Sequence, residues 1–190
     1  MQIIDTLVNT DSDLFLFING LHNSWLDTIM FYISWKYTWI PLYVFVLILL
    51  FKKYKFKNGL IILFSFAFLI ALSDQTSVHL FKNVFQRLRP CHDPDLQGMV
   101  HYLSLPGSKY GFISSHAANS FAFAFLSIRL LKNRTYSMLI ILWASLVCYS
   151  RVYLGVHFPG DVIVGAGWGV FIGFIVYNVL KKIIPVKTTS

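Results

Sequence analysis

The chain has 190 residues, of which 56% are hydrophobic and only 13% are charged. An ordinary soluble domain carries about 25% charged residues, and a water-soluble chain of this length could not cover so much apolar surface. The formal net charge is +8, from 16 Lys and Arg against 8 acidic residues. These values exclude a disordered chain and argue against a soluble globular enzyme, so the expected solvent is lipid.

The length predicts one domain, residues 1–190. The two cysteines, Cys91 and Cys148, are too few for a disulfide-stapled secreted domain. We expect no secretory signal, because the first ten residues contain no Lys or Arg and lead into no apolar segment. Membrane insertion is therefore expected to use the helices of the mature chain.

The first predicted element is a short amphipathic helix over residues 11–21. Its apolar face consists of Leu14, Phe15, Phe17 and Ile18. A short helix of this pattern lies in the membrane interface rather than across the bilayer.

Five later segments approach the roughly 20 apolar residues that a transmembrane helix needs. In the first of them, Lys36 and Pro41 predict a kink or a split. The predicted fold class is therefore all-α: a membrane helix bundle of five transmembrane helices, or six if that segment is split. The five segments cover residues 25–51, 59–82, 115–131, 136–149 and 159–184.

Basic residues cluster between the predicted spans, and five spans would place the clusters on one side of the membrane. The positive-inside rule makes that side cytoplasmic. The motifs described below would then face outward, toward the periplasm or exterior. The clusters are Lys52, Lys53, Lys55 and Lys57; Arg129, Lys132 and Arg134; and Lys181, Lys182 and Lys187.

A stripe of glycines recurs every four residues in the last span, at Gly165, Gly169 and Gly173, in register with Asp161. Small residues at this spacing let helix backbones approach closely in lipid. We interpret the stripe as packing that holds Asp161 against neighbouring helices.

The first outward-facing motif runs from Lys82 to Arg89 and Pro90. Residues seven apart share a helix face, so both cations are predicted to point into one cavity. Pro90 disfavours helical backbone at Arg89, so the helix is predicted to end there. A basic helix end that snorkels to the interface is the alternative.

The second motif is Ile113-Ser114-Ser115-His116. Ser114 is a predicted N-cap, and the free N–H groups of the helix that follows would bind an anion. Simple capping beside an interfacial histidine is the alternative.

The third motif contains Arg151, His157, Pro159 and Asp161. Pro159 suits the first position of a helix. A carboxylate four residues after His157 can orient the imidazole and leave its other nitrogen as a nucleophile. A histidine–aspartate capping interaction is the alternative.

Together the three motifs resemble those of the type 2 phosphatidic acid phosphatase superfamily, which are Lys-x6-Arg-Pro, Pro-Ser-Gly-His and Ser-Arg-x5-His-x3-Asp. The first is intact over residues 82–90 and the third over residues 150–161. The middle motif keeps its serine and histidine, but Ile113 stands for proline and Ser115 for glycine. If the glycine position required left-handed backbone, Ser115 would cost about 1 kcal/mol.

The resemblance implies a role for each matching residue. His157 would be the nucleophile that forms a phosphohistidine, Asp161 would orient it, and His116 would be the general acid. No metal or other cofactor is implied, and the segment 91–95 (Cys-His-Asp-Pro-Asp) is interpreted as a polar loop. The implied phosphate-binding residues are Lys82, Arg89, Ser114, Ser115 and Arg151.

The function implied by the resemblance is removal of a phosphate from a membrane lipid. Among substrates we favour an isoprenyl diphosphate such as the undecaprenyl carrier, with phosphatidylglycerophosphate, phosphatidic acid and lipid A as alternatives. A haloperoxidase with vanadate at the phosphate position, and a catalytically inactive lipid-binding or transport protein, are the other hypotheses. The expected partners are the lipid substrate and the bilayer, with no nucleic acid; the sequence leaves the oligomeric state open.

Overall fold

The structure, a computed structural model, describes residues 2–103 and 107–184. Within these ranges the regular elements are helices, and the only bridge of β type is an isolated pair at Leu88 and Tyr110. The α-helices are α1 (Gln2–Gly20), α2 (Ser24–Ser34), α3 (Ile40–Thr76), α4 (Asn83–Phe85), α5 (Ser115–Leu131), α6 (Arg134–Tyr153) and α7 (Pro159–Ile183). A π-helix (Ser77–Lys82) joins α3 to α4, and 3-10 turns cover Lys36–Trp39, Pro90–His92 and Pro94–Leu96.

Helix α3 reverses direction at Lys55, where the backbone has φ 63° and ψ 170°. The rings of Tyr43 and Phe66, on opposite sides of the reversal, both pack against Phe123 of α5, at 4.9 and 5.0 Å. The two halves of α3 are therefore antiparallel. The predicted segment 25–51 is split as Lys36 and Pro41 suggested, because α2 ends at Ser34 and Pro41 lies in the first turn of α3.

Three helical stretches of the described chain are long and apolar enough to cross a membrane: residues 36–85, which include the reversal, 134–153 and 159–183. Helix α5, predicted as a span, has 17 residues, somewhat fewer than the roughly 20 that a crossing needs. Polytopic membrane helices are thus confirmed, whereas the number of crossings stays a prediction.

The glycine stripe packs α7 tightly against α5. A Cβ atom at Gly169 would lie 2.1 Å from the carbonyl oxygen of Ala118, and one at Gly165 would lie 2.7 Å from that of Ser114. Any side chain at either position would separate the two backbones. Close packing by the stripe is therefore confirmed, and it places Asp161 beside the first turn of α5, where the Ser114 N–H donates to the Asp161 carbonyl at 3.0 Å.

The basic clusters gather at one end of the bundle. The Lys53 ammonium donates to the carbonyl of Leu131 at 2.6 Å, and the Arg129 guanidinium lies over the ring of Tyr177 at 4.8 Å. The motifs lie at the opposite end. Lys187 lies outside the described residues.

Helix α1 is longer than the predicted 11–21 segment, and its buried face only partly matches the predicted one. Phe15 is fully buried against Phe158, with ring centroids 5.4 Å apart, whereas Leu14 and Phe17 are exposed. One turn after Phe15, the buried Asn19 side chain donates to the backbone carbonyls of His101 and Tyr153. Leu16 and Ile18 are half-buried against the same cluster as Phe15, so two of the four residues of the predicted apolar face, Phe15 and Ile18, pack against the bundle.

The helix that carries Lys82 ends earlier than predicted. It stops at Phe85, and Gln86 adopts left-handed backbone with φ 48°. Arg89 is extended, as Pro90 requires, and its N–H donates to the Lys109 carbonyl at 3.2 Å. The prediction that Lys82 and Arg89 share one helix face was wrong, since a loop delivers Arg89.

Candidate active site

A cavity of about 980 Å³ opens among α2, α3, α5 and α6. The three basic side chains Lys82, Arg89 and Arg151 lie together in its wall, and we call this part the cationic end. Six of the eight predicted site residues line the cavity: Lys82, Arg89, Ser115, His116, Arg151 and His157. The other two, Ser114 and Asp161, are fully buried behind the wall.

His157 and Asp161 form the pair that the third motif predicted. Helix α7 begins at Pro159, and the Asp161 carboxylate turns back to accept the Phe158 N–H at 3.1 Å. Its Oδ2 lies 3.4 Å from Nδ1 of His157, and Nε2 of His157 lies 3.0 Å from Nη1 of Arg89. A guanidinium can only donate, so Nε2 is the acceptor and the ring proton belongs on Nδ1.

This arrangement keeps His157 neutral. The side chain is 1% exposed, and burial lowers the pKa of His157 well below its ordinary value; the nearby charges of Arg89, Arg151 and Lys82 lower it further. A neutral imidazole has a free lone pair at pH 7. That lone pair points toward the cationic end.

Arg87, which sequence reasoning missed, fixes the carboxylate from the other side. Its Nη1 donates to Oδ1 of Asp161 at 2.9 Å and its Nη2 donates to Oδ2 of Asp11 at 2.7 Å. The guanidinium also lies over the ring of Phe158 at 4.0 Å, and the Gly160 N–H donates to Asp11 at 2.7 Å. Helix α1 is thereby tied to the start of α7, and both oxygens of the Asp161 carboxylate are held in place.

We expect Arg87→Met to lower kcat for phosphate release by roughly 10- to 100-fold with a smaller change in KM, because a displaced Asp161 misaligns His157. Arg87→Lys can reach one carboxylate but not both, so its kcat should lie between those of Arg87→Met and the wild type. Asp11→Asn removes charge from the other partner of Arg87, and it should likewise lower kcat with a smaller change in KM. A change confined to KM would instead place Arg87 in substrate binding.

Arg151 lies in the last turn of α6 and is buried in the cavity wall. Its Nη1 donates to the hydroxyl of Ser34 in α2, a contact that no motif indicated. Its Nε is buried without a hydrogen-bond partner among the described residues. Arg151 lines the cavity, and a guanidinium there is suited to an anion with several oxygens.

Ser115 replaces the glycine of the family motif and contributes a hydroxyl to the site. Lys82 Nζ donates to Ser115 Oγ at 2.7 Å, and Ser77 Oγ lies 2.6 Å from the same oxygen. Ser115 is the first residue of α5 and has no positive φ, so the expected cost of left-handed backbone does not arise. Ser114 is the N-cap, as predicted, and its Oγ accepts the Ala117 N–H at 3.5 Å.

The segment 91–95 forms two 3-10 turns beside the site, and the Asp93 side chain caps the second by accepting the Asp95 N–H at 3.1 Å. Across residues 2–103 and 107–184, no three His, Cys, Asp or Glu side chains gather in a way that could hold a metal ion. The structure thus describes this segment as a self-capped polar loop.

Away from the cationic end, the cavity wall becomes apolar and follows both halves of α3. We call this part the deep wall. It is lined by Phe31, Trp35, Trp39, Tyr43, Leu47, Leu63, Phe66, Ala67, Ile70, Phe123, Trp143 and Val147.

A comparison with known protein families decides the identity of the chain. The model of the PAP2 superfamily matches residues 58–185. The chain belongs to the PAP2 superfamily. It is a membrane lipid phosphatase of this family, in agreement with the resemblance that the three motifs carry.

Curated relatives agree with this assignment, and a solved structure shares the fold. The PAP2 chain is 36% identical to a lipid A 4'-phosphatase of Porphyromonas gingivalis, over 93% of this chain and 75% of that protein. It is 33% identical to an undecaprenyl-diphosphatase of Sulfolobus acidocaldarius, over 86% of this chain and 75% of that protein. The crystal structure of a transmembrane PAP2-type phosphatidylglycerolphosphate phosphatase from Bacillus subtilis has the same fold, with TM-score 0.71 and 23% identity over 96% of this chain and 90% of that chain.

Proposed function

We propose that this PAP2 chain hydrolyses a phosphate group from a membrane lipid through a phosphohistidine at His157. The observation that carries the proposal is the direction of the His157 lone pair. The imidazole is neutral, and its Nε2 faces Arg89 at the cationic end of a cavity whose deep wall is apolar. Such a site can hold a phosphate at one end and a lipid tail at the other.

In the first step, the phosphate oxygens replace Nε2 of His157 as the acceptors of the Arg89 hydrogen bond. Lys82 and Arg151 bind the remaining oxygens, which offsets the charge that develops on them. Nε2 then attacks phosphorus, and the bond from phosphorus to the lipid oxygen breaks. The bound anion offsets the surrounding positive charges, so that His116 takes up a proton from solvent and gives it to that oxygen, while Asp161 stabilises the charge on the His157 imidazole.

In the second step, water attacks the phosphohistidine. His116, now neutral, takes a proton from the water, and the new oxygen–phosphorus bond replaces the bond to Nε2. Inorganic phosphate leaves, and both histidines return to their starting states. The site residues act without a metal or cofactor in this scheme.

The similarity to the lipid A 4'-phosphatase over 93% of the chain supports a phosphorylated saccharide lipid as the first candidate substrate. The isoprenyl diphosphate that the sequence resemblance favoured becomes the second candidate, supported by the undecaprenyl-diphosphatase relative. We take residues 1–190 to form one phosphatase domain.

The distribution of charge supports an orientation in the membrane. The basic clusters lie at the end of the bundle opposite the cavity's cationic end, and the positive-inside rule would place them in the cytoplasm. The active site would then face the periplasm or exterior of a bacterial inner membrane.

A substrate panel tests the proposed function. The purified protein in detergent should release inorganic phosphate from a saccharide lipid phosphate and, with lower kcat/KM, from an isoprenyl diphosphate. EDTA should leave both rates unchanged, because Lys82, Arg89 and Arg151 supply the positive charge. Failure to release phosphate from every lipid in the panel, or strong inhibition by EDTA, would contradict the proposal.

A further inference from the structure

One carboxylate in the cavity takes no part in the proposed mechanism. Asp74 lines the cavity from the second half of α3, and Asn119 lines it from α5. The amide Nδ2 of Asn119 lies 3.5 Å from Oδ1 of Asp74. An ionisable side chain within a membrane-spanning segment is costly and is retained mainly where it lines a cavity or has a function.

The pair lies at a defined depth below the phosphate site. Ser77, the first residue of the π-helix that follows α3, meets Ser115 of α5 beside Lys82. Asp74 precedes Ser77 by three residues, and Asn119 follows Ser115 by four. Since these spacings are close to one helical turn, the pair lies about 5–6 Å farther along the cavity.

Below this depth the wall turns apolar. Phe66 of α3 faces Phe123 of α5 with ring centroids 5.0 Å apart, and both rings line the cavity. Asp74 and Asn119 are therefore placed between the group that binds the phosphate and the wall that would contact the lipid tail.

The pair has unused capacity to accept hydrogen bonds. Among the described residues, the one hydrogen-bond donor to the Asp74 carboxylate is Asn119, although a carboxylate can accept about four bonds. Oδ1 of Asn119 is buried without a partner in the same part of the chain. Both residues line the cavity, so a ligand that supplies N–H or O–H donors would pair with the Asp74 carboxylate.

We propose that Asp74 and Asn119 form a second binding subsite, which accepts a hydroxyl or amide N–H of the substrate close to its phosphorylated atom. An acylated amino-sugar phosphate carries such donors within this distance of its phosphate. In an isoprenyl diphosphate a second phosphate follows the reacting one, and its negative charge would be repelled by the Asp74 carboxylate. The hydrocarbon beyond it carries no donor. The subsite therefore selects saccharide lipids over isoprenyl lipids, an inference that rests on the proposed phosphatase function.

The test compares kcat/KM for an acylated glucosamine phosphate with kcat/KM for an isoprenyl diphosphate. Asp74→Leu removes every acceptor of the carboxylate, and Asp74→Asn keeps one. The ratio of saccharide to isoprenyl activity should fall at least about tenfold in the leucine variant and less in the asparagine variant. Gln75→Leu is the matched control, because Gln75 is the exposed neighbour and does not line the cavity.

A second measurement needs no variant. The wild type should hydrolyse the glucosamine lipid about tenfold faster, in kcat/KM, than the same lipid with its hydroxyl and amide groups methylated. A ratio within twofold of wild type in both Asp74 variants, or equal rates on the two forms of the glucosamine lipid, would overturn the subsite. If Asp74→Leu lowered kcat/KM equally for all lipids, the subsite would be wrong and Asp74 would act as a charge partner of Lys82. If the wild type cleaved no lipid phosphate at all, the phosphatase function itself would fail.

Discussion

Replacing His157 by asparagine is expected to reduce phosphate release by about 10⁴-fold or more, since removal of a nucleophile that acts as part of a group abolishes most of the catalysis. Asparagine is polar and small enough for the space, and it has no lone pair that can attack phosphorus. Release of phosphate from a lipid phosphate in detergent measures the loss, and thermal unfolding checks that the variant is folded.

The phosphohistidine gives this prediction a second readout. Brief incubation with a lipid carrying labelled phosphate should leave an acid-labile label on the wild-type protein and none on His157→Asn. The matched control is His79→Asn, because His79 is exposed on the π-helix and does not line the cavity. Near-normal turnover in His157→Asn would reject His157 as the nucleophile, and label on another residue would identify its replacement.

Arg151→Lys is expected to lower kcat/KM by roughly 10²- to 10³-fold, the range that loss of one fixed donor to a developing negative charge produces. The guanidinium is buried, is held by the hydroxyl of Ser34 and lines the cavity. Lysine keeps the charge but cannot present two parallel N–H groups to a phosphate. Steady-state kinetics on a lipid phosphate would measure the effect.

The control for this change is Arg129→Lys at the opposite end of the bundle, where the guanidinium lies over Tyr177. That variant should keep its turnover within about twofold of wild type, as expected of surface changes remote from a site. Arg151→Lys with kinetics equally close to wild type would show that the phosphate does not depend on a two-donor contact from Arg151.

The parts of the site that the sequence predicts are those fixed by local backbone rules. His157 and Asp161 meet because Pro159 begins a helix and a carboxylate in its first turn can reach back to the preceding residues. Ser114 caps α5 for a similar reason. Helix periodicity and capping act within a few residues, so these placements follow without knowledge of the tertiary structure.

The parts that sequence reasoning missed depend on contacts between distant segments. Asp11 and Asp161 meet through Arg87, although each lies more than 70 residues from it along the chain. Arg151 donates to Ser34, which lies 117 positions away along the chain. Neither pair has a spacing that helix or turn geometry dictates, so only the packing of α1 and α2 against the site reveals them.

The early end of the helix that carries Lys82 is a third feature that the sequence did not predict. Pro90 correctly indicated extended backbone at Arg89. The helix nevertheless ends at Phe85 because Gln86 adopts left-handed backbone, which glutamine rarely does. No residue preference signals that turn. Both cations still reach one cavity, but the loop after Phe85, and not the seven-residue helical spacing, brings Arg89 there.

The depth of the cavity bears on how a substrate reaches the enzyme. Between Leu63 and Lys82 its wall follows the second half of α3 and then the π-helix for about 25–30 Å at ~1.5 Å per residue. This length is comparable to the ~30 Å hydrocarbon thickness of a bilayer. Withdrawing an acyl chain into water costs about 0.8 kcal/mol for each methylene. A chain lying along the deep wall avoids that extraction step, so lengthening the fatty tail should leave the catalytic rate nearly constant while desorption from the bilayer becomes steeply harder.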